Sequence, residues 1–302
     1  MEKNIEKFTE TLIKSYNAFI EEYYDGKLND SSSDKEDLTL DFLQSRWGDT
    51  DCKILGTTPK NAIGEFFPEE IDFDDIIYMY DSFAYDGVYD IPVAVCDLLF
   101  SAPEAAEEYI LSIIDEMDLN INGDRIISDE DNKKLCLFIE SIKISDRIAA
   151  EKVKDRLFRI FSECSAENYL INETVCDAME SCGFVKEMVG YIEKCSIIGE
   201  KEHYILQKLV KLSDTDDAIF KCLKSCLKKD CKNISMTVQI VSDCGDGRLI
   251  PLIRKIARNQ LEAIFDAGKT PYDESQESQE FFLICNAVTR LGGSIEDLLT
   301  LE

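Results

Sequence analysis

Consecutive segments of the chain from about Tyr89 onward carry apolar residues at three- and four-residue steps. This spacing is typical of amphipathic helices, and each segment is about a dozen residues long, close to the average helix. A helix with one apolar stripe needs a neighbour that buries it, so the pattern predicts antiparallel helix pairs. The predicted pairs are 89–100 with 104–117, 132–142 with 146–164, 168–182 with 184–196, 200–213 with 215–229, 232–244 with 247–267, and 275–291 with a short helix near 294–300.

The composition favours helices throughout the chain. Of 302 residues only 6 are proline and 14 are glycine, and 45% are hydrophobic, which is enough apolar material for a large core. We therefore predict an all-α protein.

Residues 1–88 are predicted to form an irregular, acidic helical region. Apolar spacing predicts a first helix from Ile5 to Tyr23, which Asp25-Gly26 is expected to end. Residues 29–36, NDSSSDKE, predict a mobile loop. The stretch 47–68 contains several glycines and prolines and is predicted to be the least regular part of the chain.

Three predicted turns share one pattern, in which two apolar or cysteine residues three positions apart precede a glycine. They are Met179 to Gly183, Val241 to Gly245 and Val288 to Gly292. Helices often end at a residue with left-handed backbone, which glycine adopts without steric cost. These glycines are therefore predicted to let the chain reverse. After the turns, Asp214 or Asp216, and Asp246, are expected to cap the next helix.

The segment from Val241 to Ala257, VSDCGDGRLIPLIRKIA, resembles the inter-helix turn of the HEAT-repeat family. The matching features are the Gly-Asp of the turn, the nearby Arg248, and Pro251 close to the start of the second helix. The resemblance implies a right-handed α-solenoid of antiparallel helix pairs over residues 89–302. Residues 1–88 show no such turn, and whether they form a separate domain stays open.

Negative charge is concentrated in the first half of the chain. Residues 61–124 contain 17 acidic and 10 aromatic side chains and no Lys, Arg or His, and the whole chain has a net charge of −28. A dense acidic surface repels itself, so we expect a cationic protein partner outside this chain to compensate it. The same charge argues against nucleic acid and against an anionic membrane surface.

The stretch from Phe73 to Asp90 combines this charge with aromatic residues. Helical spacing predicts a buried stripe of Phe73, Ile76, Ile77, Tyr80, and Phe83 or Ala84. The opposite face has the aromatic and charged character of a protein-binding surface. The candidate partner-binding residues are Asp74, Asp75, Tyr78, Asp81, Tyr85, Asp86, Tyr89 and Asp90.

One segment has the oxygen-ligand spacing of a calcium loop. Asp118 to Asp129 is similar to EF-hand and dockerin loops, with Gly123 at the sixth position. The last position is Asp instead of a bidentate Glu, and Arg125 stands where an apolar residue normally packs. An ordinary polar turn between two helices is the alternative, since Asn, Asp and Gly are common in turns.

Cysteine and histidine give no diagnostic metal or catalytic motif. Cys222, Cys226 and Cys231 could be thiolate ligands, but there is no CxxC pair and only one histidine in the chain. The 12 cysteines are predicted to be reduced core residues, and no cofactor is expected. His203 has no nucleophile at a diagnostic spacing, so a surface or capping role is expected for it.

The functional hypothesis is a non-enzymatic protein-binding scaffold or inhibitor whose acidic surface takes a basic protein. The charged N-terminus, MEKNIEKFTE, has no apolar run suited to a signal sequence or a membrane span, so a cytoplasmic location is expected. Two alternatives stay open. One is a HEAT-like enzyme or enzyme accessory, and the other is a calcium-binding helical protein.

Overall fold

The computed structural model describes residues 4–29, 40–67, 72–87, 90–117, 129–214 and 216–299. Most of these residues are helical, and the only strands among them are two residues long, which confirms the predicted all-α class. The chain divides into two compact units, Met1–Arg156 and Leu157–Glu302. The boundary expected near residue 88 stays a prediction.

The first unit contains seven described helices and the start of an eighth. They are α1 (Ile5–Asn29), α2 (Leu40–Trp47), α3 (Pro59–Phe66), α4 (Phe73–Asp86), α5 (Val93–Leu99), α6 (Pro103–Glu116), α7 (Asp129–Lys143) and α8 (Ala150–Glu163). A short 3-10 turn, Ser145–Arg147, separates α7 from α8.

One prediction about this unit is wrong, and a second holds only in part. The helix α1 does not end at Asp25-Gly26 but continues to Asn29, because a glycine inside a helix costs only about 1 kcal/mol relative to alanine. The stretch 47–68, predicted to be the least regular, has no helix from residue 48 to residue 58 but then contains α3. The Thr58 hydroxyl accepts a hydrogen bond from the Asn61 N–H at 3.3 Å, and Pro59 begins the helix, as proline does readily. The loop predicted at 29–36 lies almost wholly outside the described residues.

An aromatic cluster forms the centre of this unit. The ring of Tyr16 on α1 lies 5.3 Å from that of Trp47 on α2 and 6.1 Å from that of Phe83 on α4. All three side chains are fully buried. Buried aromatic rings contribute large apolar areas, so this cluster fixes the position of α4 against α1 and α2.

The second unit contains the end of α8 and eight further helices. They are α9 (Tyr169–Ser181), α10 (Val185–Lys194), α11 (Glu200–Leu212), α12 (Asp217–Cys226), α13 (Ile234–Ser242), α14 (Ile250–Asp266), α15 (Gln276–Arg290) and α16 (Glu296–Leu299). Within the described residues, a helix is present in each predicted helical segment of this unit, with ends that differ by a few residues. A 3-10 turn, Gly247–Leu249, precedes α14.

The helices of the second unit contact one another in a regular order. Helix α9 contacts α11, α11 contacts α13, and α13 contacts α15. These are the first helices of the successive predicted pairs, and we call them the first-helix row. On the other side α10 contacts α12. The right-handed twist and the HEAT-like pairing stay predictions.

The turn chemistry agrees with the sequence pattern. Gly183, Gly245 and Gly292 have φ of +77°, +70° and +82°, the left-handed backbone that was predicted for them. The Asp216 side chain accepts a hydrogen bond from the Ala218 N–H at 2.7 Å and so caps α12. The Asp246 side chain accepts one from the Arg248 N–H at 2.8 Å.

Lys229 and a two-residue β-ladder connect the helix pairs α9–α10 and α11–α12 to each other. Strand β1 (Ile197–Ile198) pairs in parallel with β2 (Asp230–Cys231). Just before β2, the Lys229 ammonium donates hydrogen bonds to the carbonyls of Ile192, Glu193 and Cys195 at the end of α10. Helix ends leave such carbonyls without intrahelical partners, so Lys229 acts as a C-cap supplied by the following pair.

No helix in the described part of the chain combines the length and apolar character that a membrane span requires.

Candidate functional site

Helix α4 carries most of the predicted partner-binding residues. It begins at the N-cap Asp72, whose side chain accepts a hydrogen bond from the Asp74 N–H at 3.0 Å. Its buried residues are Ile76, Met79, Tyr80, Phe83 and Ala84. The predicted stripe is confirmed at four of these positions. Phe73 and Ile77 are only half-buried, because the helix presents Met79 to the core in their place.

Three of the predicted partner-binding residues already have partners within this chain. The Asp81 carboxylate accepts a hydrogen bond from the Tyr109 hydroxyl of α6. The Lys133 ammonium lies 5.8 Å from the centre of the Tyr85 ring. The Asp90 carboxylate forms an ion pair with Lys143 on α7 at 2.6 Å. These contacts are structural, and Tyr89 lies outside the described residues.

The other predicted partner-binding residues of α4 remain accessible to solvent. Asp74 and Asp86 are exposed, Asp75 is half-buried, and Tyr78 is 41% exposed, which is high for a large aromatic side chain. No lysine or arginine among the described residues forms an ion pair with any of these three carboxylates. On the neighbouring α6, the carboxylates of Glu104 and Glu108 are exposed and equally unpaired within the described chain.

Helical spacing aligns these residues. Asp74, Tyr78, Asp81 and Tyr85 follow one another at steps of three or four along α4 and so lie on one face of the helix. Tyr109 of α6 joins this face through its hydrogen bond to Asp81. We call the whole set the acidic tyrosine surface. It consists of Asp74, Asp75, Tyr78, Asp81, Tyr85 and Asp86 of α4 and Glu104, Glu108 and Tyr109 of α6.

Part of the remaining acidic charge is neutralised inside the first unit, which the sequence did not predict. Four basic residues between 143 and 156 pair with four acidic residues between 90 and 115, in the same order along the chain. The pairs are Lys143 with Asp90, Arg147 with Asp97 at 3.0 Å, Lys152 with Glu107, and Arg156 with Asp115 at 2.6 Å. We call this set the ion-pair strip.

The ion-pair strip corrects the expectation that the acidic half lacks compensation from its own chain. Residues 61–124 contain no cation, but the helices that follow them supply four. The expectation was wrong because it compared charges only within one stretch of sequence, whereas packing joins residues about 40 to 50 positions apart. The acidic tyrosine surface contains five carboxylates, Asp74, Asp75, Asp86, Glu104 and Glu108, that form no ion pair within the described residues.

Burial changes the titration of the central carboxylate of this surface. Burial raises the pKa of Asp81 to about 6, against the lowering effect of the hydrogen bond from Tyr109. Burial, together with that hydrogen bond to the Asp81 carboxylate, also raises the pKa of Tyr109 well above its usual range. The pair therefore holds its proton on Tyr109 at neutral pH and gains a second one near pH 6.

The Asp81→Asn variant is expected to be more stable than the wild type at pH 7, by about 1 to 2 kcal/mol. The pKa of Asp81 is higher in the folded state than its ordinary value of 3.8, so wild-type stability falls as the pH rises from about 4 to 6. Asparagine still accepts the hydrogen bond from Tyr109 and does not ionise.

Melting temperatures measured between pH 4 and 7 test this expectation, with the exposed Asp74→Asn as the matched control. The control should follow the wild-type pH profile, whereas Asp81→Asn should lose the decline between pH 4 and 6. If Asp81→Asn instead lowers the melting temperature at pH 7, Asp81 does not carry a burial penalty.

A second polar cluster in the first unit was missed by sequence reasoning. Glu140 on α7 is largely buried, and burial raises its pKa although the adjacent Lys143 ammonium, 3.0 Å away, lowers it. The Tyr16 hydroxyl donates a hydrogen bond to the Asp90 carbonyl at 2.9 Å. These contacts tie Asp90, which precedes α5, to α1 and α7. Nothing in the sequence distinguishes Glu140 from the many surface glutamates.

The metal hypotheses receive no support from the described residues, which contain no group of three or more His, Cys, Asp or Glu arranged to hold an ion. All 12 cysteines lie in the described part of the chain, and each is a buried or half-buried free thiol. The Cys226 thiol donates to the Cys222 carbonyl, 3.3 Å away, and thus has an ordinary helical partner. Of the calcium loop only Asp129 is described, so calcium binding stays a prediction.

The expectation of a surface or capping role for His203 is wrong. Its side chain is buried between α11 and α13, with Nε2 3.0 Å from the Thr237 hydroxyl oxygen. Because that hydroxyl donates to the Asn233 carbonyl at 3.0 Å, the His203 Nε2–H is the donor to Thr237. Burial lowers the pKa of His203, which favours the neutral imidazole. His203 therefore joins α11 to α13.

No protein-family model matches this chain, and comparisons with curated proteins and with solved structures find no similar protein.

Proposed function

We propose that this protein is a non-enzymatic binding protein whose acidic tyrosine surface holds a basic segment of another protein. One observation carries the proposal, namely the selective pairing of charge in the first unit. The chain supplies its own cations to the carboxylates of the ion-pair strip. It supplies none from the described residues to Asp74, Asp75, Asp86, Glu104 and Glu108.

The chemistry of this surface favours a protein with exposed lysine or arginine. Unpaired carboxylates attract such a partner over roughly the Debye length, which is about 8 Å at physiological salt. Tyr78 adds an exposed ring that can pack against an apolar stem or a guanidinium plane, and tyrosine is enriched among residues that dominate binding energy. Charge then sets the rate of encounter, and the tyrosine ring slows dissociation.

The dimensions of the surface also support a protein partner. Helices α4 and α6 each have 14 residues, so each is about 21 Å long. Two neighbouring helices of this length can contribute several hundred square ångströms, a large part of the roughly 800 Å² that each partner buries in a standard interface.

For the second unit we propose the HEAT-like α-solenoid as the finer architecture. The order of contacts along the first-helix row and the left-handed glycines at three turns support this proposal. Stacked helix pairs expose long continuous faces, which suits a binding function.

The test uses affinity capture from cell extract with the full chain and two triple variants. The site variant combines Asp74→Asn, Asp75→Asn and Tyr78→Ala. The control variant removes the same groups from the second unit through Glu262→Gln, Asp266→Asn and Tyr272→Ala, all of them exposed. We expect the site variant to retain less than a tenth of the basic protein that the wild type captures, since one interfacial tyrosine alone contributes about 2 kcal/mol.

Ionic strength provides a second readout in the same experiment. Raising the salt from about 50 to 300 mM should weaken capture by the wild type and by the control variant to the same extent. Capture that is insensitive to salt, or that both triple variants lose equally, would contradict binding at the acidic tyrosine surface.

A further inference from the structure

Four of the six large apolar side chains that are exposed in the described part of the second unit lie on the first-helix row. Tyr169 and Leu170 on α9, Met236 on α13 and Leu283 on α15 are 67%, 46%, 45% and 43% exposed. Single exposed apolar residues are ordinary, but a group of them on packed neighbouring helices commonly marks an interaction site. Tyr204 on α11 is half-buried, and it lies close enough to Tyr169 for that side chain to influence its pKa.

These side chains lie beside a cleft that crosses three helices. The cleft has a volume of about 470 Å³ and is lined from α9, α11 and α13. Its lining residues Glu173 and Ile240 follow Tyr169 and Met236 by four positions, so each pair lies on the same helix face one turn apart. The Gln239 amide donates to the Leu283 carbonyl, which places α15 beside the same edge.

Most of the cationic side chains beside this cleft already form ion pairs within the chain. Lys208 pairs with Asp177, and Arg290 pairs with Asp243 at 2.7 Å. Arg290 also donates to the Ser242 hydroxyl at 2.6 Å, so its side chain is held in place. These contacts form a fixed polar border along the C-terminal ends of the first-helix row.

The charges that remain are mainly negative. Glu173 and Asp214 line the cleft, Glu200 is exposed at the start of α11, and none of the three forms an ion pair within the described chain. The one unpaired cation among the described lining residues is Lys211. A ligand for this face therefore needs apolar groups for the four exposed apolar side chains and positive charge for the cleft.

We infer that the first-helix row is a second docking surface, and that it takes an extended peptide segment in which apolar side chains alternate with Lys or Arg. It lies outside the acidic tyrosine surface and does not depend on it. The apolar side chains of the peptide pack on Tyr169, Leu170, Met236 and Leu283. Its cationic side chains reach Glu173 and Asp214, while the exposed amides of Gln207 and Asn286 can bond its backbone.

The spacing of the helices sets the length of the segment. Neighbouring packed helices lie about 8 to 10 Å apart, so the four helices of the row span roughly 24 to 30 Å. An extended peptide covers about 3.3 Å per residue, and eight or nine residues therefore cross the row. A random library of 12-residue peptides contains segments long enough to bind.

The experiment selects binders from a phage-displayed library of random 12-residue peptides, using the full chain as bait. The selected peptides are then synthesised and titrated by calorimetry against the wild type and purified variants. We expect enrichment of Lys or Arg next to Leu, Ile, Phe or Met. Each of Met236→Asp and Leu283→Asp should weaken binding at least tenfold, whereas Met236→Leu should preserve it.

Two further variants separate this surface from the one proposed above. Ile54→Asp places the same charge at an apolar residue of the first unit that is 51% exposed, and it should leave peptide affinity unchanged. The triple variant at Asp74, Asp75 and Tyr78 should also bind the peptide normally. Glu173→Gln with Asp214→Asn should weaken binding three- to tenfold.

Several outcomes would overturn the inference. They are a selection without enrichment, enrichment of acidic peptides, and equal weakening by Ile54→Asp and Leu283→Asp. Binding that is lost only in the triple variant of α4 would place the peptide on the acidic tyrosine surface instead. That result would overturn the second docking surface and leave the first one standing.

Discussion

Replacing Lys229 with methionine is expected to lower the free energy of unfolding by about 3 kcal/mol. The ammonium of Lys229 donates hydrogen bonds of 2.6, 3.0 and 2.6 Å to the carbonyls of Ile192, Glu193 and Cys195. Hydrogen bonds to a charged group each contribute about 1.5 to 3 kcal/mol, but water can replace part of this interaction in the variant. Methionine keeps most of the aliphatic stem, so the loss reports the hydrogen bonds.

The position of Lys229 explains why the effect should be large. Its positive charge lies at the C-terminus of α10, where the helix dipole favours a cation. The residue belongs to the segment between α12 and β2, so the contact also holds one helix pair against the next. In the variant, carbonyls at the end of α10 lose a shared partner and the ladder of β1 with β2 loses its support.

Urea-induced unfolding of the full chain, followed by circular dichroism, measures this effect. The neighbouring Lys228→Met is the matched control. The Lys228 side chain is exposed, and this substitution removes the same charge from the same segment. The control should change the free energy of unfolding by less than about 0.5 kcal/mol. Equal effects of the two variants would show that charge alone, and not the cap, is responsible.

Replacing Lys143 with methionine is expected to destabilise the first unit by about 2 to 3 kcal/mol at pH 7. Lys143 pairs with both Asp90 and Glu140, at 2.6 and 3.0 Å, and the Glu140 side chain is only 13% exposed. Removing one partner of a buried ion pair leaves an uncompensated charge, which costs more than the pair itself contributes. Part of the Lys143 side chain meets solvent, so the expected loss is below that of a fully buried pair.

The pH dependence of this variant has a definite sign. The pKa of Glu140 is already raised by burial, and removing Lys143 removes the main influence that lowers it. In the variant, folding therefore favours protonated Glu140 more strongly, and its stability deficit relative to the wild type should shrink as the pH falls from 7 to 5.

A second substitution tests whether Glu140 causes the loss. Adding Glu140→Gln to Lys143→Met removes the stranded charge while keeping an oxygen acceptor, and should recover at least about 1 kcal/mol at pH 7. Lys134→Met, which breaks an exposed pair with Glu130, is the control and should have little effect. A double variant no more stable than Lys143→Met would exclude Glu140 as the source.

The sequence predicts the helices well because their signals are local. The apolar stripes of the second unit and the glycines at 183, 245 and 292 depend on residues within a few positions of one another. The continuation of α1 past Gly26 shows the limit of such rules, since glycine lowers helix stability without forbidding a helix. The start of α3 inside a glycine- and proline-rich stretch shows the same limit.

The candidate sites depend on contacts between distant residues, and this is where sequence reasoning was weaker. It selected the exposed Tyr78 correctly as a surface residue of α4, because helical periodicity separates the two faces. It could not foresee that the Tyr109 hydroxyl donates a hydrogen bond to the Asp81 carboxylate, or that Lys143 pairs with Asp90. Lys229 likewise looks like an ordinary surface lysine until α10 is placed beside it.

Each unit contains one unique aromatic reporter. The chain has a single tryptophan, Trp47, buried in the first unit, and its single histidine, His203, is buried in the second. Intrinsic fluorescence of the indole therefore follows the melting of one unit, while the imidazole proton resonances in an NMR spectrum follow the other. The order in which the two units unfold can thus be read from the unlabelled native chain.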